Sequence, residues 1–420
     1  MSTFRYSFFF LTFVFVFSAF AGNGGSGYSR YGIGDIRYSF NDISAGMGNT
    51  TIAVFSTNNI NQFNPATWSP LSRTRYSIAF KYEGYNTTDG NHSVYLSGTK
   101  FDGLMIGIPV YTPSGIVMGM GFTPYSTINY NIISTTSFNS LVYKVRYSGE
   151  GGLSEGQIGA SWIPYTDFSV GAKLSYYFGS MRHTTSQDFS ESNYSNAEET
   201  RSMISHGLGG TIGVIYTGLS RSLNLDSTRS LSVGLVTSFG TNLTTREERY
   251  YAYTDNSQSL ITRDTTSSDD TQIQLPLRLG VGVSYKTSEF LVATDFLYQQ
   301  WSKLTSVGAL AGEFRDSYRF SIGGELFPRR EASATFFQRL AYRAGMFTDA
   351  SYYKINGESI NEFGVTGGIG FPIIGETRLN VAAEYSFRGT TDFGLQKDNI
   401  LRLSFVLSGS ERWFIPAEEE

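Results

Sequence analysis

The sequence predicts an all-β chain: a transmembrane antiparallel β-barrel of about 14 strands with an N-terminal hatch, or plug. Three observations predict it. First, only 16% of the 420 residues are charged while 15% are aromatic, with 46 Gly, 28 Tyr, 33 Phe and no Cys. Soluble domains carry roughly 25% charge, and an aromatic, Gly-rich, weakly charged chain suits strands with one face in lipid and one in water. Second, the apolar residues recur with period two rather than 3.6. Third, no apolar run of about 20 residues follows the N-terminus, as a helical membrane protein would need. A net charge of −4 argues against nucleic-acid binding. The lack of Cys excludes a disulfide framework and thiolate metal sites. Three His (His92, His183 and His206) leave little for a His-based cluster, so no metal or cofactor is expected.

Residues 1–21 read as a signal peptide. Arg5 gives a positive n-region, Phe8 to Phe17 an apolar core, and Ala19-Phe20-Ala21 an A-x-A cleavage site after Ala21. The mature chain is therefore expected to start at Gly22 and to reside in a bacterial outer membrane. Residues 22–72 are expected to form the plug, 73–409 the barrel and 410–420 a periplasmic C-terminal tail.

The strands follow in order: 75–85, 93–110, 115–130, 143–164, 168–190, 200–217, 229–252, 271–286, 289–301, 316–327, 340–352, 362–372, 377–388 and 399–408. Residues 272–286 alternate most clearly. Ile273, Leu275, Leu277, Leu279, Val281, Val283 and Tyr285 share one face, opposite Gln272, Gln274, Arg278, Gly280, Gly282 and Ser284. Tyr82, Tyr85, Tyr130, Tyr165, Tyr216, Tyr285, Tyr298 and Trp301 at strand ends read as the two aromatic girdles of a barrel. Short connections at 111–114, 165–167, 286–288 and 373–376 are expected on the periplasmic side. Long polar ones at 131–142, 183–200 and 246–271 are expected outside. The lumen face carries both signs: Lys81, Glu83, Lys173, Arg278, Arg319, Glu325, Arg343, Arg378, Glu384 and Arg402. These are expected to pair with one another and with the plug.

A barrel of about fourteen strands is too wide for its own side chains to fill. Residues 22–72 do not alternate, yet Ile43, Phe55, Phe63 and Trp68 make them too apolar for a linker, so they are expected to fold inward. Within them, Ser44-Ala45-Gly46-Met47-Gly48-Asn49, Thr51-Ile52-Ala53 and Asn64-Pro65-Ala66 resemble the N-terminal hatch of the FadL/TodX family. Gly46, Gly48, Asn64, Pro65 and Ala66 are the residues that carry the motif. The run Tyr28 to Asp35 is similar to the mature start of Bacteroidetes-type members. The sequence departs from the common outer-membrane pattern at Glu420, where a Phe is usual.

The resemblance implies passive diffusion of hydrophobic compounds, such as long-chain fatty acids, through a plugged barrel with a lateral exit. Phe55 and Phe63 in the plug, and Phe138, Leu141 and Val142 in an outer loop, are the apolar candidates for the ligand path. The third strand offers the exit: Gly119 and Gly121 weaken it and Pro124 cannot donate to the ladder. The expected partners are fatty acid-like hydrophobic small molecules, outer-membrane lipid and the barrel-assembly machinery. The alternative is a FadL-like barrel that serves as partner or shuttle of a secretion system. An enzyme is not expected. His206 shares parity with Leu208, Ile212 and Val214 on the lipid side, and His92 and His183 fall in outer loops, so no Ser-His-Asp set forms. Asp264, Asp269 and Asp270 are either a Ca²⁺ site or a solvated acidic loop.

Overall fold

A computed structural model describes residues 24–38, 43–138, 141–189, 194–226, 228–255, 260–268, 270–304, 313–329, 331, 333–411 and 413. The expected signal peptide and its cleavage site lie outside the described residues, as does most of the C-terminal tail. Among the described residues fourteen antiparallel strands close a barrel. They are β1 (Thr74–Thr88), β2 (Ser93–Tyr111), β3 (Ile116–Pro124 and Ser126–Phe138), β4 (Leu141–Tyr165), β5 (Phe168–Phe189), β6 (Asn196–Tyr216), β7 (Ser230–Ser238 and Thr241–Thr254), β8 (Leu260–Ser267, Thr271–Leu275 and Arg278–Lys286), β9 (Phe290–Gln299), β10 (Ser317–Leu326), β11 (Ala341–Ile355), β12 (Glu358–Ile374), β13 (Thr377–Gly389) and β14 (Lys397–Glu411). Each pairs with its neighbour in sequence. β14 returns to β1, from Glu411 opposite Thr74 to Lys397 opposite Thr88.

Return of β14 to β1 removes the terminal edges of the sheet, the condition for strands to sit in lipid. The outward face is apolar: Phe80, Leu104, Ile158, Leu174, Leu208, Ile212, Val281, Phe320, Met346 and Val365 are all exposed. His206 is exposed among them, on the parity expected. The inward face holds small and charged residues, among them Ser175, Lys173, Arg278, Ser284, Asp295, Arg319, Arg343 and Ser386, all buried.

Three expectations are corrected. Residues 131–142, 183–200 and 246–271 are not loops. Most of them extend the hairpins of β3–β4, β5–β6 and β7–β8, with ladders running to Phe138/Leu141, Gln187/Ala197 and Thr254/Leu260. Beyond the membrane both faces of a strand meet water, so alternation is not required and the period-two signal vanishes. Second, residues 272–286 do not share one face. Pro276 and Leu277 interrupt β8, and parity flips there. Ile273 and Leu275 are buried, whereas Leu279, Val281 and Val283 are exposed. Third, Tyr85, Tyr130 and Trp301 are buried rather than in a girdle. Tyr165 and Tyr216 are exposed at the short-turn end, as a girdle requires.

Candidate functional site

The N-terminal segment, residues 24–38 and 43–72, lies against the inward faces of the strands and is folded by side chain–backbone bonds. Asn61 and Asn64 organise its second half. Asn61 Nδ2 donates to Thr51 O (2.6 Å), and Asn61 Oδ1 accepts from Phe63 N (2.7 Å). Asn64 Oδ1 accepts from Ala66 N (3.0 Å) and so caps the short 3₁₀ turn Pro65–Trp68, with Pro65 in its favoured first-turn place. Asn64 Nδ2 donates back to Ile52 O (2.8 Å). Trp68 Nε1 donates to Asn61 O (2.6 Å), and its ring is fully buried. The Asn-Pro-Ala motif is thus a structural knot within the segment.

Strand glycines let this segment approach. A Cβ on Gly280 would stand 2.7 Å from Ile52 Cδ1, and one on Gly234 2.5 Å from Ile52 O. A Cβ on Gly119 would stand 2.6 Å from the Trp68 ring. Gly171 and Gly213 face Pro65–Ala66 and Asn64, and Gly323 and Gly345 face Met47–Gly48. These positions span β3 to β11, so only Gly admits the second backbone at that spacing. Gly48 itself has φ +66° and donates its N–H to Thr366 Oγ1 (2.8 Å). Asp295 accepts from Thr51 N (2.5 Å) and Ile52 N (2.9 Å).

Above this layer the lumen is ionic. Glu83 is paired with Arg37 and with Lys100 (3.3 Å) and Arg402 (3.5 Å). Arg402 also meets Glu362 (2.7 Å) and Glu384. Arg388 meets Asp35 (2.9 Å) and Asp398 (3.1 Å). Arg319 meets Asp349 (3.3 Å), and Arg343 meets Glu325 (3.0 Å). Burial alone would pull the Arg37 guanidinium down; the Glu83 carboxylate outweighs that and holds it above its ordinary value. Deeper in, Lys173 meets Glu155 (2.9 Å) and Gln62 O (2.9 Å), and Arg278 covers the Phe63 ring at 4.6 Å. A cavity of about 70 Å³ remains among Asp35, Arg37, Glu83, Arg319, Glu362 and Arg402. That is room for a few waters, not for an acyl chain.

Toward the long-loop end the lumen turns apolar. Trp301 stacks on Tyr352 (centroids 4.6 Å apart, planes 27°). Tyr28, Ile33, Ile128, Leu243, Ile273, Leu275 and Tyr353 are among the other members of this core. Three strand breaks create it. β3 breaks at Tyr125, β7 at Phe239–Gly240 and β8 at Pro276–Leu277, and residues of all three breaks line one small cleft. Past each break parity flips and apolar side chains point inward.

The break in β3 also opens the wall. The β2–β3 ladder runs from Tyr111/Ile116 to Leu104/Phe122 and stops. Above it Ser93–Gly103 pairs only with β1, and Ile128–Phe138 is laddered only to β4. The N-terminal segment covers this gap from within. Asp35 and Ile36 pair with Thr127 and Ser126, and Arg37 N donates to Tyr125 O (2.9 Å). Ser29 Oγ bridges the N–H and carbonyl of Asn129, each at 3.1 Å. Gly24 faces Leu96 of β2 and Gly25 faces Asn129 of β3.

The residues named from sequence fall as follows. Pro124 ends the laddered half of β3, beside the gap. Gly119 and Gly121 lie in the laddered half, opposite Gly159 and Gln157; their missing Cβ atoms give room to Trp68 and Met105. Phe63 is buried and Phe55 half-buried in the N-terminal segment. The backbones of Phe138 and Leu141 pair at the tip of the β3–β4 hairpin, and Val142 is exposed there. The five path candidates therefore do not form one site. Sequence reasoning missed the inner apolar core, whose one signal was Pro276 inside an alternating run. Asp264 lies in the β7–β8 hairpin opposite Tyr251, and Asp270 bonds Arg246 (3.1 Å); Asp269 is outside the described residues. A vestibule of about 900 Å³ at the long-loop end is polar, lined by Asn131, Arg146, Arg182, Thr200, Tyr250 and Arg263.

A family model described as BamG matches residues 4–418, nearly the whole chain. The chain belongs to the BamG family. Among solved structures this BamG-family chain is similar to three FadL-type barrels. One is the CymD monoaromatic hydrocarbon channel, at 14% identity and TM-score 0.58, covering 92% of this chain and 100% of that one. Another is the Ralstonia pickettii toluene transporter TbuX, at 15% and 0.58, covering 89% and 98%. The third is the P. putida toluene transporter TodX, at 14% and 0.58, covering 90% and 99%. At these identities the likeness is one of fold. Among curated proteins none matches the chain.

Proposed function

We propose that this chain is an outer-membrane barrel, plugged by residues 24–72, that acts as a partner of the barrel-assembly machinery rather than as an open conduit. The short-turn end then faces the periplasm and the tall hairpins face outward. One observation carries the reading: the lumen is filled along its axis, first by a backbone caged between strand glycines and then by buried ion pairs. A conduit needs a bore or a plug that leaves cheaply. Breaking one buried ion pair costs about 3–5 kcal/mol, and here several would have to break together. The family name points toward barrel assembly, and a rigid barrel with tall outer hairpins offers surface to partners. The test is isolation of the tagged chain in mild detergent. Co-isolation with the assembly machinery, and a fall in other barrel proteins on depletion, is the expected result. A chain that isolates alone, with depletion affecting only solute uptake, overturns the proposal.

A second reading has its own support. The gap between β2 and β3 leads toward the inner apolar core, which suits passive diffusion of hydrophobic compounds such as long-chain fatty acids with a lateral exit into lipid. Each CH₂ kept out of water is worth about 0.8 kcal/mol, so a side exit beside Pro124 is the sensible route for an acyl chain. Uptake of a labelled long-chain fatty acid that is equal in cells with and without the protein sinks this reading.

A further inference from the structure

The polar vestibule at the long-loop end lies on the outward side of the wall. Along β5, Leu174, Tyr176 and Phe178 are exposed on the outward face, while Tyr177 and Met181 are buried inside. Arg182 and Thr184 keep the outward parity and line the vestibule. Along β6, Glu198 and Thr200 share the parity of the exposed Ile204 and Leu208; along β4, Arg146 and Glu150 share that of Ile158. The ladders joining β4, β5 and β6 keep one register between these positions. The face that meets lipid lower down therefore becomes, higher up, a trough of about 900 Å³ running from β3 to β8. That is the scale of a ligand site.

A line of rings marks the upper edge of the lipid belt. Phe80, Phe101, Phe122 and Phe178 follow one another across β1, β2, β3 and β5 with centroids 5.8, 5.9 and 6.0 Å apart, as an aromatic girdle does. Arg182 stands four residues beyond Phe178, and Arg146 eight beyond Ser154, the ladder partner of Phe178. At about 3.3 Å per residue and a tilt of about 40°, the trough lies roughly 10–20 Å above the girdle. Phospholipid head groups reach only about 5–8 Å beyond the hydrocarbon. The lining is rich in groups that match hydroxyls. Asn131, Thr184 and Thr200 both donate and accept, and the guanidiniums donate in forks. Arg182 is engaged by Glu150 (3.0 Å), Glu198 accepts from Thr200 Oγ1 (3.3 Å), and Glu248, beside the trough, accepts from Tyr250 Oη (2.7 Å). Arg263 lies over the Tyr250 ring at 4.9 Å. Among the described residues neither Arg146 nor Arg263 has a carboxylate within ion-pair distance.

We propose that this trough holds the saccharide head of an outer-leaflet glycolipid whose acyl chains lie against the apolar face below; the proposal rests on the reading that the tall hairpins face outward. Height selects the occupant, because a phospholipid head stops short of Arg182 and an oligosaccharide reaches it. Continuity of the face selects the source. Acyl chains against Leu174, Ile204 and Leu208 would tether the head beside the trough and raise its local concentration into the millimolar range, so individually weak sugar contacts suffice. Arg146 and Arg263 would take an anionic substituent of the saccharide through charge-assisted hydrogen bonds.

The test uses the full chain purified in mild detergent. It is titrated with rough lipopolysaccharide, which carries a core oligosaccharide on lipid A, with lipid A alone and with phosphatidylethanolamine, and bound lipid is counted by native mass spectrometry. The core-bearing lipid should be retained about tenfold more tightly than lipid A. Arg146→Ala with Arg263→Ala should remove most of that difference and leave lipid A unchanged. Lys354→Ala, at the long-loop end on the far side of the ring, should alter neither. Free core oligosaccharide, which lacks the tether, should compete only at about a hundredfold excess or more. Equal retention of the three lipids would overturn the proposal, as would unchanged retention by the double arginine variant. Free oligosaccharide that binds as tightly as the whole glycolipid would overturn the lipid source. None of these readings depends on the assembly machinery: a chain that isolates without the machinery, yet loses the glycolipid when the two arginines are replaced, refutes the partnership and upholds the site.

Discussion

Gly234→Ala tests the glycine cage at one atom. The added methyl carbon would stand 2.5 Å from the carbonyl O of Ile52 and 3.0 Å from its carbonyl C. Both belong to backbone, so neither can swing aside. Ordinary contact begins near 3.4 Å, so the N-terminal segment must withdraw by about 1 Å. That same Ile52 is held by Asp295 at its N–H and by Asn64 at its carbonyl. The shift therefore strains the Asn-Pro-Ala knot as well as the contact. Overpacking of this kind costs about 1–3 kcal/mol, or about 5- to 140-fold in the equilibrium between seated and released segment. The barrel ladder of β7 is untouched. The assay is native-state trypsin cleavage within residues 24–72, read against an intact barrel band on a semi-native gel. When closing outpaces cleavage, the rate follows the released population. Gly367→Ala is the control, because its methyl would meet nothing nearer than Arg343 O at 3.9 Å. If Gly234→Ala is cleaved no faster than Gly367→Ala, the segment is not held by strand glycines.

Other outcomes follow from the same geometry. Deleting residues 28–66 should raise single-channel conductance sharply while the barrel still folds; unchanged conductance would mean that the segment does not occupy the lumen. Lys173→Met should destabilise the protein by about 3–5 kcal/mol in thermal unfolding, because Glu155 is left buried without its cation. Adding Glu155→Leu should recover most of that loss, and a double variant as weak as the single one would rule out the ion pair as the cause. An epitope at Ser268 should be labelled on intact cells and one at residues 166–167 should not; the reverse would invert the barrel.

The strands were legible because lipid imposes alternation wherever it touches them. All fourteen expected strands overlap observed ones, from Thr74–Thr88 to Lys397–Glu411. Legibility stopped where lipid stops. The tall hairpins carry Ser, Thr and charge on both faces, and nothing in their pattern separates a ladder from a loop. The inner core was hidden for a related reason. Ile273 and Leu275 continue the parity of Leu279 and Val281 in sequence, and only the break at Pro276 sends them inward. The Asn-Pro-Ala segment was recognisable by resemblance, but not its bonding, because Ile52, Asp295 and Gly234 lie far apart in sequence. The pairing partners of Glu83, Arg388 and Arg402 were equally out of reach: sequence names the charges on the lumen face but not which strands bring them together.

The N-terminal segment does two jobs, and they constrain each other. It fills the axis, and it supplies the edge partner that β3 lacks above Tyr125. Asp35 illustrates the coupling. Its backbone pairs with Thr127 at the gap, while its carboxylate meets Arg388 of β13, which in turn meets Asp398 of β14. Arg37 repeats the arrangement: its N–H bonds Tyr125 O, its Nε bonds Thr127 Oγ1, and its guanidinium meets Glu83 of β1. Opening the side gap by peeling residues 35–37 from β3 would therefore pull on charges that hold β1, β13 and β14 together. A ligand that forced the gap would have to disturb the ionic layer. A partner that gripped the gap from the membrane side would meet an edge already braced through that layer. Under either reading, the stiffness of the gap is set by Asp35 and Arg37. Replacing both with alanine should loosen the β3 edge, seen as faster amide exchange at residues 126–129, while the ladder of β9 with β10 stays protected. Unchanged exchange at 126–129 would show that the gap is held by β4 alone and that the segment merely lies beside it.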